Sequence, residues 1–280
     1  MMGDMNPLVS IVVANYNYGS MLEASLLSVI EQMTDDIELI VVDGGSTDNS
    51  SEIIQRYADR ISWWCSEKDR GQSDAFNKGF KHARGTFGCW LNADDILIPC
   101  SLKKVCDYLR THPRVEWLGA SSVFTDGNMA VKWCSRCVRA LPWGQKLLPT
   151  GMVNGPSSFF RLDNLRRVGG FDVGLRYTMD TDLWRRFVQE GIRLYHIKDY
   201  VWCFRVHEES KTSHKFITGK GSNSFATEGE RMNARYGITP RRSRLASRIN
   251  QIMRLVSGTY LWSYLDTKRM KGKRIGEIFQ

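Results

Sequence analysis

The sequence predicts an α/β fold built on a mostly parallel sheet, and three observations lead to that prediction. Continuous apolar runs recur along the first third of the chain, as expected of strands that are buried on both faces of a sheet. Segments with helical spacing of their apolar side chains separate these runs. Each run ends abruptly in a polar loop rich in Asn, Asp, Gly and Ser. Strands that alternate with helices in this way are typical of a parallel sheet with helices on its faces.

The elements follow one another in a regular order. The first strand is predicted over residues 9–14, and the next helix has an apolar face formed by Met21, Leu22, Leu26, Val29 and Ile30. A second strand over 37–42, a helix over 50–57, a third strand over 61–65, a helix over 74–83 and a fourth strand over 86–91 continue the pattern. The polar loops therefore lie together at the carboxyl edge of one sheet, where open α/β sheets bind their ligands.

The loop after the fourth strand carries two adjacent carboxylates, Asp94 and Asp95. Hard oxygen ligands at this position suit Mg²⁺ or Mn²⁺, which keep coordination sites open for phosphate oxygens of a substrate. A pair of Asp residues after a strand is also compatible with a plain turn and helix N-cap. The pair alone leaves both interpretations open.

Six sequence blocks in order and spacing resemble family 2 glycosyltransferases, which have the GT-A fold. Four of them resemble the nucleotide-sugar half of the family: SIVVANYN at 10–17, VDGGSTD at 42–48, SEKDRGQSDAFNKG at 66–79 and LNADD at 91–95. GGFD at 169–172 and YTMDTDLW at 177–184 resemble the acceptor side and the catalytic-base region. The resemblance spans about residues 8 to 212. It implies an inverting transfer of a sugar from a nucleotide-diphosphate donor, with a UDP-sugar favoured, to a saccharide hydroxyl.

The resemblance also implies which residues contact the donor: Ala14, Asn15, Tyr16, Asn17, Asp43, Gly44, Asp69, Gly71, Gln72, Asp74, Asn77, Asn92, Ala93 and Lys211. The chemistry fits, because an Asp accepts hydrogen bonds from a base edge and Gly lets the backbone approach a ring closely. Simple turns would account for the loops at 15–17 and 43–45 equally well. Asp74 is compatible with a helix N-cap as well as with a ligand contact.

One departure from the family pattern concerns the metal. The usual Asp-x-Asp motif reads Asn92-Ala93-Asp94 here, so Asp94 is the favoured protein ligand and Asn92 adds no charge. His207, in an Arg-x-His segment that resembles the end of the family's catalytic domain, is the second candidate ligand for Mn²⁺ or Mg²⁺. Asp95 is expected to cap or support the following segment. The metal would neutralise charge on the departing nucleoside diphosphate.

Glycosyl transfer needs a base for the acceptor hydroxyl, and Asp180 is the candidate. The family usually has Glu-Asp at the aligned pair, whereas this chain has Met179-Asp180. Asp182 is the rival, and one of the two is expected to cap a helix over 183–190. Ser158 and Trp184 are expected on the acceptor side. A packed strand after a turn is the alternative explanation for Ser158.

The charge is concentrated at the end of the chain. Residues 241–280 contain seven Arg and three Lys against two acidic residues, a net charge of +8 within a whole-chain +9. Apolar residues at helical spacing and a Tyr260, Trp262, Tyr264 cluster accompany the charge. The predicted organisation is a glycosyltransferase domain over 1–215, with halves at about 1–98 and 99–215, and a basic amphipathic helical tail over 216–280. Such a tail suits peripheral contact with anionic lipid. Contact of this kind favours a polyprenyl-diphosphate-linked acceptor at the cytoplasmic face of the plasma membrane. The alternative is a helix that packs on its own domain and exposes a solvated basic face.

Several other classes are disfavoured. The first strand is followed by Asn-Tyr-Asn instead of the Gly-rich turn of a dinucleotide-binding oxidoreductase. Basic charge confined to the terminus, with no recognised binding motif, argues against nucleic acid. Seven scattered Cys indicate reduced thiols, and the lone CxxC at 134–137 is a weak zinc signal. No apolar run is long enough to span a membrane, and no signal peptide precedes the first strand. A non-catalytic nucleotide-sugar-binding protein remains the main alternative to an enzyme.

Overall fold

A computed structural model describes residues 6–138, 153–210 and 223–279 of the chain. Its first half is the predicted parallel sheet, with strands β1 (Val9–Asn15), β2 (Ile37–Asp43), β3 (Trp63–Ser66) and β4 (Phe87–Asn92). They lie in the order β3-β2-β1-β4, and all three neighbouring pairs are parallel. Val9, Ile11 and Val13 enter one core cluster while Val12 enters another, so the apolar run of β1 is continuous because both faces are covered.

Helices cover both faces of this sheet. Helices α1 (Gly19–Ile30), α2 (Ser50–Arg56) and α4 (Ser101–Thr111) place their apolar side chains in the first cluster, and α3 (Gln72–His82) places Phe76 and Phe80 in the second. Gly79 lets α3 approach the sheet closely, because a Cβ there would lie 2.3 Å from a methyl carbon of Val12. The α/β fold predicted from alternating strands and helices is confirmed.

The second half extends the same sheet with antiparallel and parallel pairs. It contains β5 (Ile96–Leu97), β6 (Trp117–Thr125), β7 (Val131–Ser135), β8 (Ser158–Arg161) and β9 (Leu194–Arg205). The order continues β4-β8-β6-β9-β5, with β7 paired to β6. Helices α5 (Leu162–Arg167) and α6 (Met179–Gln189) follow β8. Helix α6 begins four residues before the predicted start at 183, so Asp180 and Asp182 both lie within its first turn and neither is the N-cap.

The last part of the chain is helical, as predicted, and its last helices pack on the preceding strands. It contains α7 (Asn223–Arg235), α8 (Pro240–Val256), α9 (Thr259–Met270) and α10 (Ile275–Ile278). Helix α9 lies against β7, where the buried Asp266 accepts hydrogen bonds from Tyr200 Oη at 2.5 Å and Arg136 Nε at 2.7 Å. Ala130 forms a β-bridge with Arg274. Packing on the domain therefore accounts for α9 and α10.

The helices α8 and α9 nevertheless expose a set of large apolar side chains. This exposed apolar surface consists of Leu245, Ile252, Leu255, Val256, Tyr260, Leu261, Trp262, Tyr264 and Leu265. None of the helices in the described part of the chain is both long and apolar enough to cross a membrane. All seven cysteines are free thiols, as predicted.

Candidate active site

The carboxyl ends of β1, β2 and β4 open into a cleft of about 950 Å³. Strand register brings these ends together, since Asn15 pairs with Asp43 and Ala14 pairs with Asn92. The predicted residues that line the cleft are Ala14, Asn15, Tyr16, Gly44, Asp69, Gly71, Gln72, Asn92, Ala93, Asp94 and Asp180. The cleft is large enough for a ligand of nucleotide-sugar size. Sequence blocks 165 residues apart therefore meet at one site, as α/β topology predicts.

Asp43 organises the first two loops and does not line the cleft. Its carboxylate is fully buried and accepts hydrogen bonds from Asn15 Nδ2 at 2.7 Å, Ser46 N at 2.9 Å, Ser46 Oγ at 2.5 Å and Ser66 Oγ at 2.6 Å. Burial alone raises the pKa of Asp43, but these hydrogen bonds outweigh it and hold the pKa below its ordinary value. Because the oxygens of the Asp43 carboxylate already accept these hydrogen bonds, its placement argues against the predicted contact between Asp43 and a nucleobase. Asp43 holds the loop ends of three strands in place.

Asn15 and Asn17 take different parts in the same loops. Asn17 lies in the left-handed region with a φ of 56°, donates its N–H to Ser46 Oγ at 2.8 Å, and accepts from Thr47 N at 2.8 Å. It ties the first loop to the second and lies outside the cleft lining. Asn15 lines the cleft, and its buried Oδ1 has no hydrogen-bond partner in the described part of the chain. A ligand N–H would satisfy this acceptor.

The third loop and the start of α3 form the next wall. A Cβ on Gly44 would lie 2.6 Å from Asp69 Oδ2, so Gly44 leaves room for the Asp69 side chain between the second and third loops. Asp74 accepts from Arg70 N at 3.1 Å and Arg70 Nη2 at 3.0 Å, which closes the loop; the N-cap is Gly71, so Asp74 is neither the cap nor part of the cleft lining.

Asn77 faces a neighbouring segment and lies outside the cleft lining. Its amide donates to Phe171 O and accepts from Phe171 N, both at 2.8 Å. Both polar ends of the side chain are therefore used to hold the 169–172 block against α3. The expected donor contact by Asn77 does not match this placement.

Asn92 links the third loop to the acidic corner. Its Oδ1 accepts from Gln72 Nε2, and its Nδ2 donates to Asp95 Oδ2 at 3.1 Å. Asp95 is fully buried and also accepts from Arg205 N at 3.2 Å. Burial, and then the charge of Asp94, raise the pKa of Asp95 well above its ordinary value. Asp95 thus supports the corner from within, through Asn92 and Arg205 and not through the segment that follows it.

Asp94 and His207 come together although 113 residues separate them. Asp94 Oδ2 lies 3.2 Å from His207 Nε2, and Asp94 lines the cleft. Arg205 fixes the backbone at this corner through Asp94 O and Ala93 O. Among the described residues, no group of three or more His, Cys, Asp or Glu side chains is arranged to hold a metal. The CxxC segment at 134–137 therefore forms no such group either.

The donor set of Asp94 and His207 fits a divalent cation that completes its coordination with substrate oxygens and water. Mg²⁺ and Mn²⁺ sites in phosphate-binding enzymes use one or two protein side chains in this way. Tyr18 packs its ring edge-on against His207 with ring centroids 5.8 Å apart. Burial, and then the charge of Asp94, raise the pKa of Tyr18 to about 12, so its hydroxyl remains a hydrogen-bond donor.

Asp180 and Asp182 have opposite environments. Asp180 lines the cleft, and its Oδ1 accepts from Thr181 N at 2.6 Å while Oδ2 has no partner among the hydrogen bonds of the described residues. Burial raises the pKa of Asp180. Asp182 is fully buried away from the cleft, paired with Arg186 Nε at 2.8 Å and with Tyr236 Oη at 2.6 Å. Geometry therefore favours Asp180 over Asp182 for any role in the cleft.

Ser158 and Trp184, expected on the acceptor side, lie in the core. Ser158 is fully buried and accepts from the indole N–H of Trp117 at 2.7 Å. Trp184 is stacked between Trp90 and Trp117, with ring centroids 5.4 and 4.6 Å away. The segments that contain Ser158 and Trp184 do contribute to the cleft, but these two side chains point into the core. The neighbouring Gly155 lines the cleft instead, where a Cβ would lie 3.7 Å from Asp180 Oδ2.

Some cleft residues were not predicted. The cleft is also lined by Tyr18 and by three cationic side chains, Lys68, Arg70 and Arg176. Lys68 and Arg70 lie inside a recognised block, so their charge was a usable signal, whereas nothing local distinguishes Arg176. Lys211, predicted to contact the diphosphate, lies outside the described residues.

Comparisons with known proteins give one consistent result. The model of glycosyl transferase family 2 matches residues 10–168. An uncharacterised glycosyltransferase of Rickettsia typhi is 26% identical over 219 residues, which cover 74% of this chain and 67% of the relative. S. aureus TarS, solved in complex with UDP-GlcNAc, superposes with a TM-score of 0.61 at 17% identity, over 81% of this chain and 66% of that one.

A second solved structure is similar over more of the chain. The mannosyltransferase PcManGT from Pyrobaculum calidifontis, in complex with GDP-Man and Mn²⁺, superposes with a TM-score of 0.56 at 18% identity, covering 93% of this chain and 84% of that one. At these identities the two structures establish the GT-A fold of the chain. The chain spans about two thirds of the length of the Rickettsia protein and of the solved TarS fragment, residues 1–349.

Proposed function

The chain belongs to glycosyl transferase family 2, and from that premise we propose that it transfers a sugar from a nucleoside-diphosphate donor to a saccharide hydroxyl with inversion at the anomeric carbon. One observation carries the proposal. A single cleft is lined by residues of the loops at the ends of β1 and β2, by Asp94, which contacts His207, and by Asp180. A nucleotide site, a cation site and a base are the three parts that such a transfer needs.

The first two loops are the proposed nucleotide subsite. Asn15 supports this proposal, because its buried Oδ1 lacks a partner in the described structure and is the right type of acceptor for a base-edge N–H. Lys68 and Arg70 add positive charge to the wall of the cleft, which suits a diphosphate. Two structurally similar proteins carry UDP-GlcNAc and GDP-Man in their structures. A UDP-sugar remains the favoured donor here.

Asp94 and His207 are the residues that would hold Mn²⁺ or Mg²⁺. When bound, the cation would supply positive charge to stabilise the departing nucleoside diphosphate. Arg205 holds the backbone carbonyl of Asp94 from the buried side, and Asp95 in turn accepts a hydrogen bond from Arg205 N. The Mn²⁺ in the Pyrobaculum mannosyltransferase complex supports the choice of a divalent ion.

Asp180 is the proposed base. Its Oδ1 is held by Thr181, which leaves Oδ2 to accept the proton of the acceptor hydroxyl as that oxygen attacks the anomeric carbon. Burial raises the pKa of Asp180, which makes the carboxylate a stronger base than an exposed Asp. Attack on the face opposite the leaving diphosphate inverts the configuration at that carbon.

The acceptor is proposed to be a lipid-linked saccharide that the enzyme meets at the cytoplasmic face of the plasma membrane. The exposed apolar surface on α8 and α9 supports peripheral lipid contact, since it lies within the segment that carries a net charge of +8. Anionic headgroups would neutralise this charge while the apolar side chains enter the interface. Arg176 in the cleft would suit a phosphate on the acceptor.

Turnover with a panel of radiolabelled nucleotide sugars, with and without Mn²⁺, tests the proposal. We expect metal-dependent release of nucleoside diphosphate from at least one donor, with a larger rate when a polyprenyl-diphosphate saccharide is added. Tight donor binding without any release would identify a non-catalytic nucleotide-sugar-binding protein. Absence of both binding and release would refute the proposed function.

A further inference from the structure

Glu228 in α7 makes an unusual set of contacts with a distant turn of the chain. Its Oε2 accepts from Arg176 N at 2.9 Å, and its Oε1 accepts from Tyr177 N at 2.8 Å, Thr178 N at 2.8 Å and Thr178 Oγ1 at 2.9 Å. One carboxylate therefore binds three successive backbone N–H groups. These residues lie directly before α6, whose second residue is Asp180.

The turn needs such a partner. Thr178 is the N-cap of α6, but its side chain makes no capping hydrogen bond to the helix, and its hydroxyl donates to Glu228. Donors at a helix N-terminus are exposed to solvent or satisfied by an acceptor, and a negative charge there interacts favourably with the helix dipole. Burial alone would raise the pKa of Glu228, but the N–H and hydroxyl donors outweigh it and lower the pKa. The carboxylate is therefore ionised at neutral pH.

Helix α7 is itself fixed on α6 and the loop before it. Asn233 Oδ1 accepts from Arg185 Nη2 at 2.7 Å, and Arg235 Nη1 donates to Asp172 Oδ2 at 2.5 Å. Tyr236, just after the helix, donates to the buried Asp182. Glu228 therefore holds the turn from a fixed position, because contacts at the other end of α7 prevent the helix from sliding.

The turn held by Glu228 forms the wall of the cleft around the proposed base. Arg176, Tyr177, Met179 and Asp180 all line the cleft, whereas Glu228 does not. The Glu228 carboxylate thus binds the backbone of residues that line the cleft, while Glu228 itself lies outside the cleft lining. A shift of about 1 Å in such a segment is enough to lower a rate by about 10²-fold.

We propose that Glu228 is a positioning residue for glycosyl transfer: by binding the backbone of residues 176–178 it sets the place of Asp180 and of the acceptor side of the cleft. This inference rests on the proposed function, in which Asp180 is the base. It assigns a catalytic contribution to a helix within the segment that the sequence marks as a basic tail. All four hydrogen bonds of Glu228 go to residues 176–178, and none of these residues belongs to the loops of the proposed donor subsite.

Glu228→Ala and Glu228→Gln test the inference in the full-length protein, with the nucleotide sugar that the donor panel identifies. In Glu228→Gln the amide oxygen replaces Oε1 and keeps three of the four hydrogen bonds. We expect kcat to fall about 10- to 100-fold in Glu228→Ala and to be partly restored in Glu228→Gln. The donor dissociation constant should change less than about twofold, since no donor contact is lost.

Glu230→Ala is the matched control, because Glu230 lies exposed on the same helix and its removal changes the net charge equally. Melting curves identify a variant that has lost its fold, and if Glu228→Ala is unfolded, Glu228→Gln carries the test. The double variant with Asp180→Asn gives the decisive comparison. If Glu228 acts through Asp180, Glu228→Ala should cost little further rate once the base is absent.

Three results would overturn the inference: wild-type kcat in folded Glu228→Ala, equal losses in Glu228→Ala and Glu230→Ala, or a full multiplicative loss in the double variant. A wild-type protein that turns over none of the donors would instead refute the proposed function. The two failures are therefore distinguishable.

Discussion

Replacement of Asp180 by Asn separates the basicity of this side chain from its structural contacts. In the wild type, Oδ1 accepts hydrogen bonds from Thr181 N and Thr181 Oγ1, and Oδ2 is the oxygen available to the cleft. The Asn side chain can keep its oxygen toward Thr181 and place its NH₂ group at the position of Oδ2. The substitution therefore preserves the local hydrogen bonds and removes the proton acceptor.

The expected loss in kcat is about 10²- to 10⁴-fold, the usual contribution of a general base, which corresponds to about 2.7 to 5.5 kcal/mol of activation free energy. The free energy of unfolding should change by less than about 1 kcal/mol, because no hydrogen bond of the folded state is lost. Burial raises the pKa of Asp180, so the wild-type rate should rise with pH through a value above the ordinary 3.8 of an Asp. That limb of the pH profile should be absent in Asp180→Asn.

The assay is nucleoside diphosphate release under saturating donor, with donor affinity measured separately by calorimetry. Asp182→Asn is the contrasting variant, since Asp182 is fully buried against Arg186 and away from the cleft. Breaking that buried pair should lower the free energy of unfolding by about 3 kcal/mol. Unchanged kcat in Asp180→Asn, or a larger loss in turnover per folded molecule in Asp182→Asn, would refute the assignment of the base.

Three further outcomes are expected. Asp43→Asn should lower the free energy of unfolding by about 2 kcal/mol in urea titrations, because a buried N–H loses its acceptor. Hydrogen bonds lower the pKa of Asp43 below 3.8, so the stability that the ionised Asp43 contributes to the wild type should be complete above pH 3.8 and lost as the pH falls further. Ser158→Ala should lower the free energy of unfolding by about 1–3 kcal/mol, because the Trp117 indole N–H loses its partner, and should leave the acceptor KM unchanged. A raised acceptor KM with unchanged stability would instead assign Ser158 to the acceptor site. Joint replacement of Val256 and Trp262 by Ser should weaken sedimentation with anionic vesicles by at least about tenfold, and equal sedimentation of variant and wild type would assign the exposed apolar surface to another role.

The parallel half of the fold was predictable because its signals are local. Strand β1 is apolar at nearly every position and ends in Asn15, and the same pattern marks β2 and β4. Parallel strands place their carboxyl ends at one edge, so the meeting of Asn15, Gly44 and Asp94 at one cleft followed from topology alone.

What escaped prediction depends on contacts between distant parts of the chain. The start of α6 at Met179 is stabilised by Glu228, about 50 residues later, and no local pattern near Asp180 shows this. Asp43 appeared free to bind a base because two of its donors, Asn15 and Ser66, come from other loops. Trp184 lies in a helix whose inner and outer faces could be assigned only once the stack with Trp117 was known. Side-chain direction in these cases is a tertiary property.

Calorimetric titration of UDP and of GDP into the wild type and Asp94→Ala, each with and without Mn²⁺, tests the central claim most directly. The claim is that the corner of Asp94 and His207 couples a divalent cation to the diphosphate of the nucleotide. We predict that Mn²⁺ tightens binding of at least one of the two nucleotides to the wild type by about tenfold or more and has little effect on Asp94→Ala, while metal-free affinity is similar in both proteins. Equal tightening by Mn²⁺ in the two proteins would contradict the account.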